Sequence, residues 1–170
     1  MTAERVHESL RDGARASEAW ANVRPIRTIL LATDLTPASR EATHRAIDLA
    51  GRLEARLLIV NVLEKRRLTG GGSHARVDQA RGERESLLVN VVRGARDAGV
   101  TAEFLVWEGD PGDSIASAAE AEHADLVVVG TRGRSGAERM LLGSVSDHVV
   151  RHAECPVLVV RPHKRDGDGA

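Results

Sequence analysis

Gly130, Gly133, Gly143 and Ser144 follow the spacing Gly-x2-Gly-x9-Gly-Ser, and residues of these types suit the holding of an anion. Glycine lets the backbone take positive φ and lets a ligand approach bare amides. Ser144 reads as the cap of a following helix, with Asp147 completing a Ser-x-x-Asp capping box. A helix start offers unpaired N–H groups and a partial positive charge. Two backbone cradles on either side of one loop therefore point to a phosphorylated ligand held between them. Arg132 and Arg134 flank the first cradle; they read equally as charge-assisted partners of phosphate or as a solvated loop tip.

Other chemistries lack their parts. After the first apolar run no Gly-x-Gly-x-x-Gly opens a helix, which argues against a dinucleotide site. No Gly-x4-Gly-Lys-Ser/Thr is present, so no P-loop lysine reaches a γ-phosphate. Asp34 ends the first apolar run; a lone carboxylate does not make a general acid–base pair, so it reads as a ligand-positioning group. His148 and His152 stand four apart, a spacing compatible with zinc, but no Cys or carboxylate cluster completes a site. Cys155, the single cysteine, precedes a proline at the start of an apolar strand and reads as a buried, inert thiol.

Positioning these residues requires an alternation of strands and helices. Apolar runs place strands at Ile26 to Thr33, Arg56 to Leu63, Val100 to Val106, Leu126 to Val129 and Val157 to Val160. Between them, Thr36 caps a helix with Pro37 at its first position and Ala42, Ala46, Leu49, Ala50 and Leu53 on one stripe. Further helices span Asp78 to Ala98, Pro111 to His123 and Ser144 to His152, and a surface loop with Lys65 to Arg67 and Gly70 to Gly72 joins the second strand to the second helix. This order predicts an α/β fold: one doubly wound, five-stranded parallel sheet in the order 3-2-1-4-5, Rossmann-like or flavodoxin-like, with helices on both faces. Ligands bind outside the carboxyl ends of strands where the winding reverses, between the first and fourth strands. Ala32, Thr33 and Asp34 would meet Gly130, Thr131, Arg132 and Gly133 there.

The chain has 170 residues and a formal net charge of -1, so it fits one domain without a basic field for nucleic acid. Aromatics are limited to Trp20, Phe104 and Trp107, too few for stacking platforms. No apolar run approaches the ~20 residues of a membrane span, and the charged first 24 residues do not resemble a signal peptide. With one cysteine, a reducing, cytoplasmic setting is expected. Residues 1–24 read as a helical or disordered extension, 25–162 as the domain and 163–170 as a flexible tail.

The glycine pattern, the amphipathic helix after it and the closing Cys155-Pro-Val-Leu-Val-Val-Arg161 resemble the universal stress protein family, in particular its ATP-binding branch. The resemblance covers Arg27 to Arg161. It implies that Ala32, Thr33 and Asp34 lie near the adenosine of ATP, bound alone or with Mg2+. Val62 would present backbone to adenine, Gly130 would approach the ribose with Thr131 and Arg132 beside it, and Gly133, Gly143, Ser144, Val145 and Ser146 would hold the phosphates. It further implies a homodimer in which the last strand, Val157, Leu158, Val159 and Val160, meets its copy. Two positions depart from the family pattern: Asn61 stands where His is frequent and Leu35 where an aromatic is common, and both bear on purine fit. The function so implied is regulatory or protective ATP binding with little or no hydrolysis. The alternatives are a slow ATPase or phosphotransferase that needs a partner, and a dimeric interaction module without nucleotide.

Overall fold

Runs of leucine and β-branched residues become strands because both faces of the resulting sheet are buried, which rewards continuous apolar sequence over alternation. In β1 (Thr28–Ala32) the side chains from Ile29 to Leu31 are fully buried, and they point in turn to opposite faces. The computed structural model describes residues 24–64, 74–131 and 142–162. Residues 1–23, the basic loop at 65–67 with the glycines at 70–72, the arginines and glycine at 132–134 and the tail at 163–170 lie outside the described residues.

β1 is followed by a 3-10 turn (Pro37–Ser39), α1 (Arg40–Leu53), β2 (Arg56–Leu63), α2 (His74–Asp97), β3 (Ala102–Glu108), α3 (Pro111–Ala121), β4 (Leu126–Gly130), α4 (Ser144–His152) and β5 (Val157–Val160). The strands form a five-stranded sheet in the order β3-β2-β1-β4-β5, and each neighbouring pair is parallel. The chain thus has the doubly wound α/β architecture that its alternating pattern predicts. At the foot of the sheet Asp125 ties the central strands: its Oδ2 accepts the amides of Arg27 and Thr28, both at 2.9 Å.

Two apolar layers cover the sheet. Ile29, Leu31, Leu57, Ile59 and Val128 pack with Ala42, Ala46, Leu88 and Ala95 from α1 and α2. Leu30, Leu58, Val60, Val127 and Val129 pack with Ile115, Ala118 and Val149 from α3 and α4.

Three local expectations differ from the structure. Thr36 precedes a 3-10 turn and makes no side-chain cap, because its hydroxyl is taken by Asp34 Oδ1 at 2.7 Å. α2 begins at His74, before the Asp78 of the sequence reading; Ala75 and Arg76 are residue types that favour helix even without an apolar stripe. β3 continues past Val106 to Glu108, because Trp107 and Glu108 still pair with Val62 and Leu63. Among the described residues no helix is long and apolar enough to cross a membrane.

Candidate functional site

Over the C-terminal ends of β1, β2 and β4, at the reversal of winding, lies a cleft of about 460 Å3. That is within the roughly 300–1,000 Å3 of small-molecule sites.

The β1 side is a network of side chains bonded to one another and to nearby backbone. The Thr33 amide extends the ladder to Val60 O at 3.0 Å, and its Oγ1 lies 3.0 Å from Ser39 Oγ and accepts the Leu35 amide at 3.1 Å. Asp34 Oδ1 accepts the Thr36 amide at 3.1 Å as well as the Thr36 hydroxyl. These bonds hold Leu35 in the left-handed region at φ 63, which costs a non-glycine residue about 1 kcal/mol. Leu35 packs against the core, which offsets the strain. From α2, Arg84 Nη1 donates to Asp34 O at 3.2 Å. Asn61 on β2 is 1% exposed; its Nδ2 donates to Thr33 O at 2.7 Å, and its Oδ1 is buried with no hydrogen-bond partner among the described residues.

The β4 side is made of backbone. The Gly143 amide donates to Thr131 O at 2.7 Å, and a Cβ at position 143 would stand 2.9 Å from that same oxygen. Glycine is thus required by the close approach of the α4 start to the end of β4, and its amide is already engaged. Gly143 is also the N-cap, so Ser144 is the first helical residue and the Ser-x-x-Asp box does not form. Instead Ser146 Oγ donates to Gly143 O at 2.9 Å, and Asp147 pairs with Arg151 one turn on at 3.0 Å. Asp147 is the first residue of α4 whose amide finds an intrahelical acceptor, Gly143 O at 2.9 Å. The amides of Ser144, Val145 and Ser146 precede it, in the turn where a helix has no internal partners and carries positive potential.

The third side comes from α3 and α4. Asp110 caps α3 by accepting the Gly112 amide at 2.9 Å. A Cβ on Gly112 would meet the His148 ring at 2.7 Å, so this glycine sets how near the two helices pack. His148 Nε2 is 2.8 Å from Asp113 Oδ1, and its ring stacks on His152 with centroids 4.0 Å apart. The two histidines face each other and an acidic neighbour; among the described residues no group of three or more His, Cys, Asp or Glu is arranged to hold a metal ion.

Of the residues singled out in the sequence, Ala32, Thr33, Asp34, Val62, Gly130, Thr131, Gly143, Ser144, Val145 and Ser146 all line this cleft. Arg132 and Gly133 lie outside the described residues. Sequence reasoning missed Ser39, Glu64, Arg84, Asp110, Ile115 and His148, which line it too. Asp110 was open to discovery, since Asp-Pro after a strand marks a loop at a strand's carboxyl end. Arg84 lies in mid-helix and carries no such signal.

Cys155 is half-buried, and burial pushes its thiol up, with backbone hydrogen bonds opposing and the charge of Asp125 adding to the rise. At the β5 edge Val157, Leu158 and Val159 are half-buried and Val160 is buried. The opposite edge differs: Arg96 donates through Nε and Nη2 to Ala102 O at 3.1 and 2.8 Å. Arg81 reaches Val106 O at 3.4 Å and Glu108 at 2.6 Å.

Residues 25–161 match the family model described as the universal stress protein family. A universal stress protein of Methanocaldococcus jannaschii is 35% identical over 144 residues, covering 82% of this chain and 85% of that one. Among solved structures, a universal stress protein described in complex with cAMP is 29% identical, with a TM-score of 0.66 over 81% of this chain and 99% of that one. The universal stress protein UspA of Lactobacillus plantarum superposes with a TM-score of 0.72 at 22% identity, covering 82% of this chain and 100% of that one, and so speaks for the fold.

Proposed function

Because the chain belongs to the universal stress protein family, we propose that it binds ATP, with or without Mg2+, and acts as a regulatory or protective protein with little or no hydrolysis. One observation carries this reading. The Asp34 carboxylate and the first turn of α4, whose leading amides have no acceptor within the helix, line a single cleft at the point where the sheet reverses its winding. A relative described in complex with cAMP supports an adenine nucleotide as the ligand. Helix-start amides grip a phosphate in ground state and transition state alike, and uniform binding does not accelerate chemistry. His148 also lines the cleft, with its Nε2 2.8 Å from Asp113 Oδ1.

The test is to denature purified protein, identify what leaves it by mass spectrometry, and titrate ligand-free protein with ATP by calorimetry. Release of an adenine nucleotide and a saturable heat with ATP are expected, with single-turnover hydrolysis near background. Protein that carries no nucleotide and gives no heat with excess ATP would overturn the reading.

The proposal extends to organisation. The domain spans residues 25–162, with 1–24 as an extension and 163–170 as a tail, and the protein works in the cytoplasm. Two copies pair through β5, a reading supported by the half-buried apolar residues of that edge. Leu158→Asp should then sediment as a monomer; a variant that keeps the wild-type assembly would count against the pairing.

A further inference from the structure

We infer that Arg84 is a positioning residue: through the carbonyl of Asp34 it keeps one peptide plane in a strained orientation, and that orientation shapes the β1 wall of the cleft for its ligand. The inference rests on the nucleotide-binding reading above and adds to it a residue from the middle of α2.

Leu35 sits at φ 63, a region that a residue with a Cβ enters against steric resistance. The φ of Leu35 and the direction of the Asp34 carbonyl belong to one planar unit, the Asp34–Leu35 peptide. Relaxing Leu35 to negative φ therefore means reorienting that plane, carbonyl and amide together. Both of its ends are gripped. The amide donates to Thr33 Oγ1 at 3.1 Å, and the carbonyl accepts from Arg84 Nη1 at 3.2 Å. The first grip comes from within the turn that it holds, whereas the second reaches in from another element.

That element is a fixed post. Leu88, one turn on from Arg84, is fully buried in the core with Leu57 and Ile59. Arg81, one turn back, donates to Val106 O at 3.4 Å and to Glu108 Oε1 at 2.6 Å on β3. Spacings of three and four set all three residues on one helix face. Arg84 is itself half-buried, and it lines the cleft together with Thr33 and Asp34. The turn that brings the Thr36 amide to Asp34 Oδ1 at 3.1 Å passes through Leu35, so its shape depends on that φ. Strain persists where the surroundings over-determine it, and it gathers at ligand clamps. Here the strained residue directly follows two that line the cleft, and a guanidinium anchored in the next layer holds it there.

The test is a mutant cycle read by calorimetry with ATP. Arg84→Met keeps the aliphatic stem and removes the donor. It should weaken ATP binding about fivefold, because the unlocked turn leaves its strained shape and apparent affinity falls with the population that keeps it. In a Leu35→Gly background, where positive φ carries no steric cost, the same substitution should change affinity by no more than about twofold. Leu35→Asn, which also tolerates that region, is the second background in case glycine at this half-buried position does not fold. Dependence on the residue at 35 is a result that a merely structural role for Arg84 would not give. A loss of equal size in every background would mean that Arg84 grips the ligand itself, and an unchanged affinity of Arg84→Met would mean that no lock exists. Either outcome overturns the inference and leaves nucleotide binding standing. Wild-type protein that does not bind ATP would overturn both.

Discussion

The two sides of the cleft solve the same problem with different materials. On the β1 side, the side chains of Asn61 and Arg84 hold the carbonyls of Thr33 and Asp34, and Thr33 Oγ1 lies against Ser39 Oγ. On the β4 side, the start of α4 offers main chain, brought into position by a glycine seated on Thr131 O. Side-chain networks can discriminate, because each group has its own donors and acceptors and leaving one unmet is expensive. Backbone amides are the same whatever the residue, so they grip charge without reading it. The difference teaches where selectivity and where affinity should reside.

Mutations can break that division. The largest effect is expected of Gly143→Ala, because the new methyl lies 2.9 Å from a backbone oxygen that cannot easily yield. Overpacking of this kind costs about 1–3 kcal/mol, and displacement of the α4 start should weaken ATP binding roughly 30-fold. Calorimetry giving the wild-type affinity would show that the backbone side is not the grip. Asp34→Asn comes next. It keeps an oxygen for Thr36 but loses the charge, and a charge-assisted bond exceeds a neutral one by about 1 kcal/mol, or roughly fivefold. The loss should shrink for 2′,3′-dideoxy-ATP, since a sugar without hydroxyls has nothing to offer the carboxylate. An equal loss for both ligands would remove Asp34 from sugar recognition. Smallest of all is Ser144→Ala, expected to change affinity by no more than about twofold because the amide remains and the hydroxyl caps nothing. A loss as large as that of Gly143→Ala would mean that the β4 side also works through side chains.

How much of this the sequence disclosed follows the same line. Strand and helix type is written locally: the runs at Leu57–Val60 and Leu126–Val129 are apolar and β-branched, and a chain that alternates them with helices has few ways to wind. The glycine at 130 and the carboxylate at 34 stand at strand ends, where topology alone directs attention. Partners are not written locally. Gly143 looks like a bare amide until Thr131 O is seen against it, and Ser144 looks like a cap until the helix is seen to begin one residue earlier than a cap would require. Leu35 has no sequence mark of positive φ; three side-chain bonds at Thr33 and Asp34 impose it. Arg84 joins the site across 50 residues, a relation that only tertiary packing creates.

The unequal flanks of the sheet bear on how large an assembly can grow. Along β3, two guanidinium groups occupy carbonyls that a visiting chain would need, whereas β5 carries a strip of half-covered valine and leucine. Joining through main-chain hydrogen bonds is then self-terminating, because once the open flank is used the composite sheet presents guarded margins at both ends. If two copies do meet at β5, the result is a closed pair and not a ribbon, and the arginines of α2 would set a ceiling on stoichiometry from the far side of the molecule.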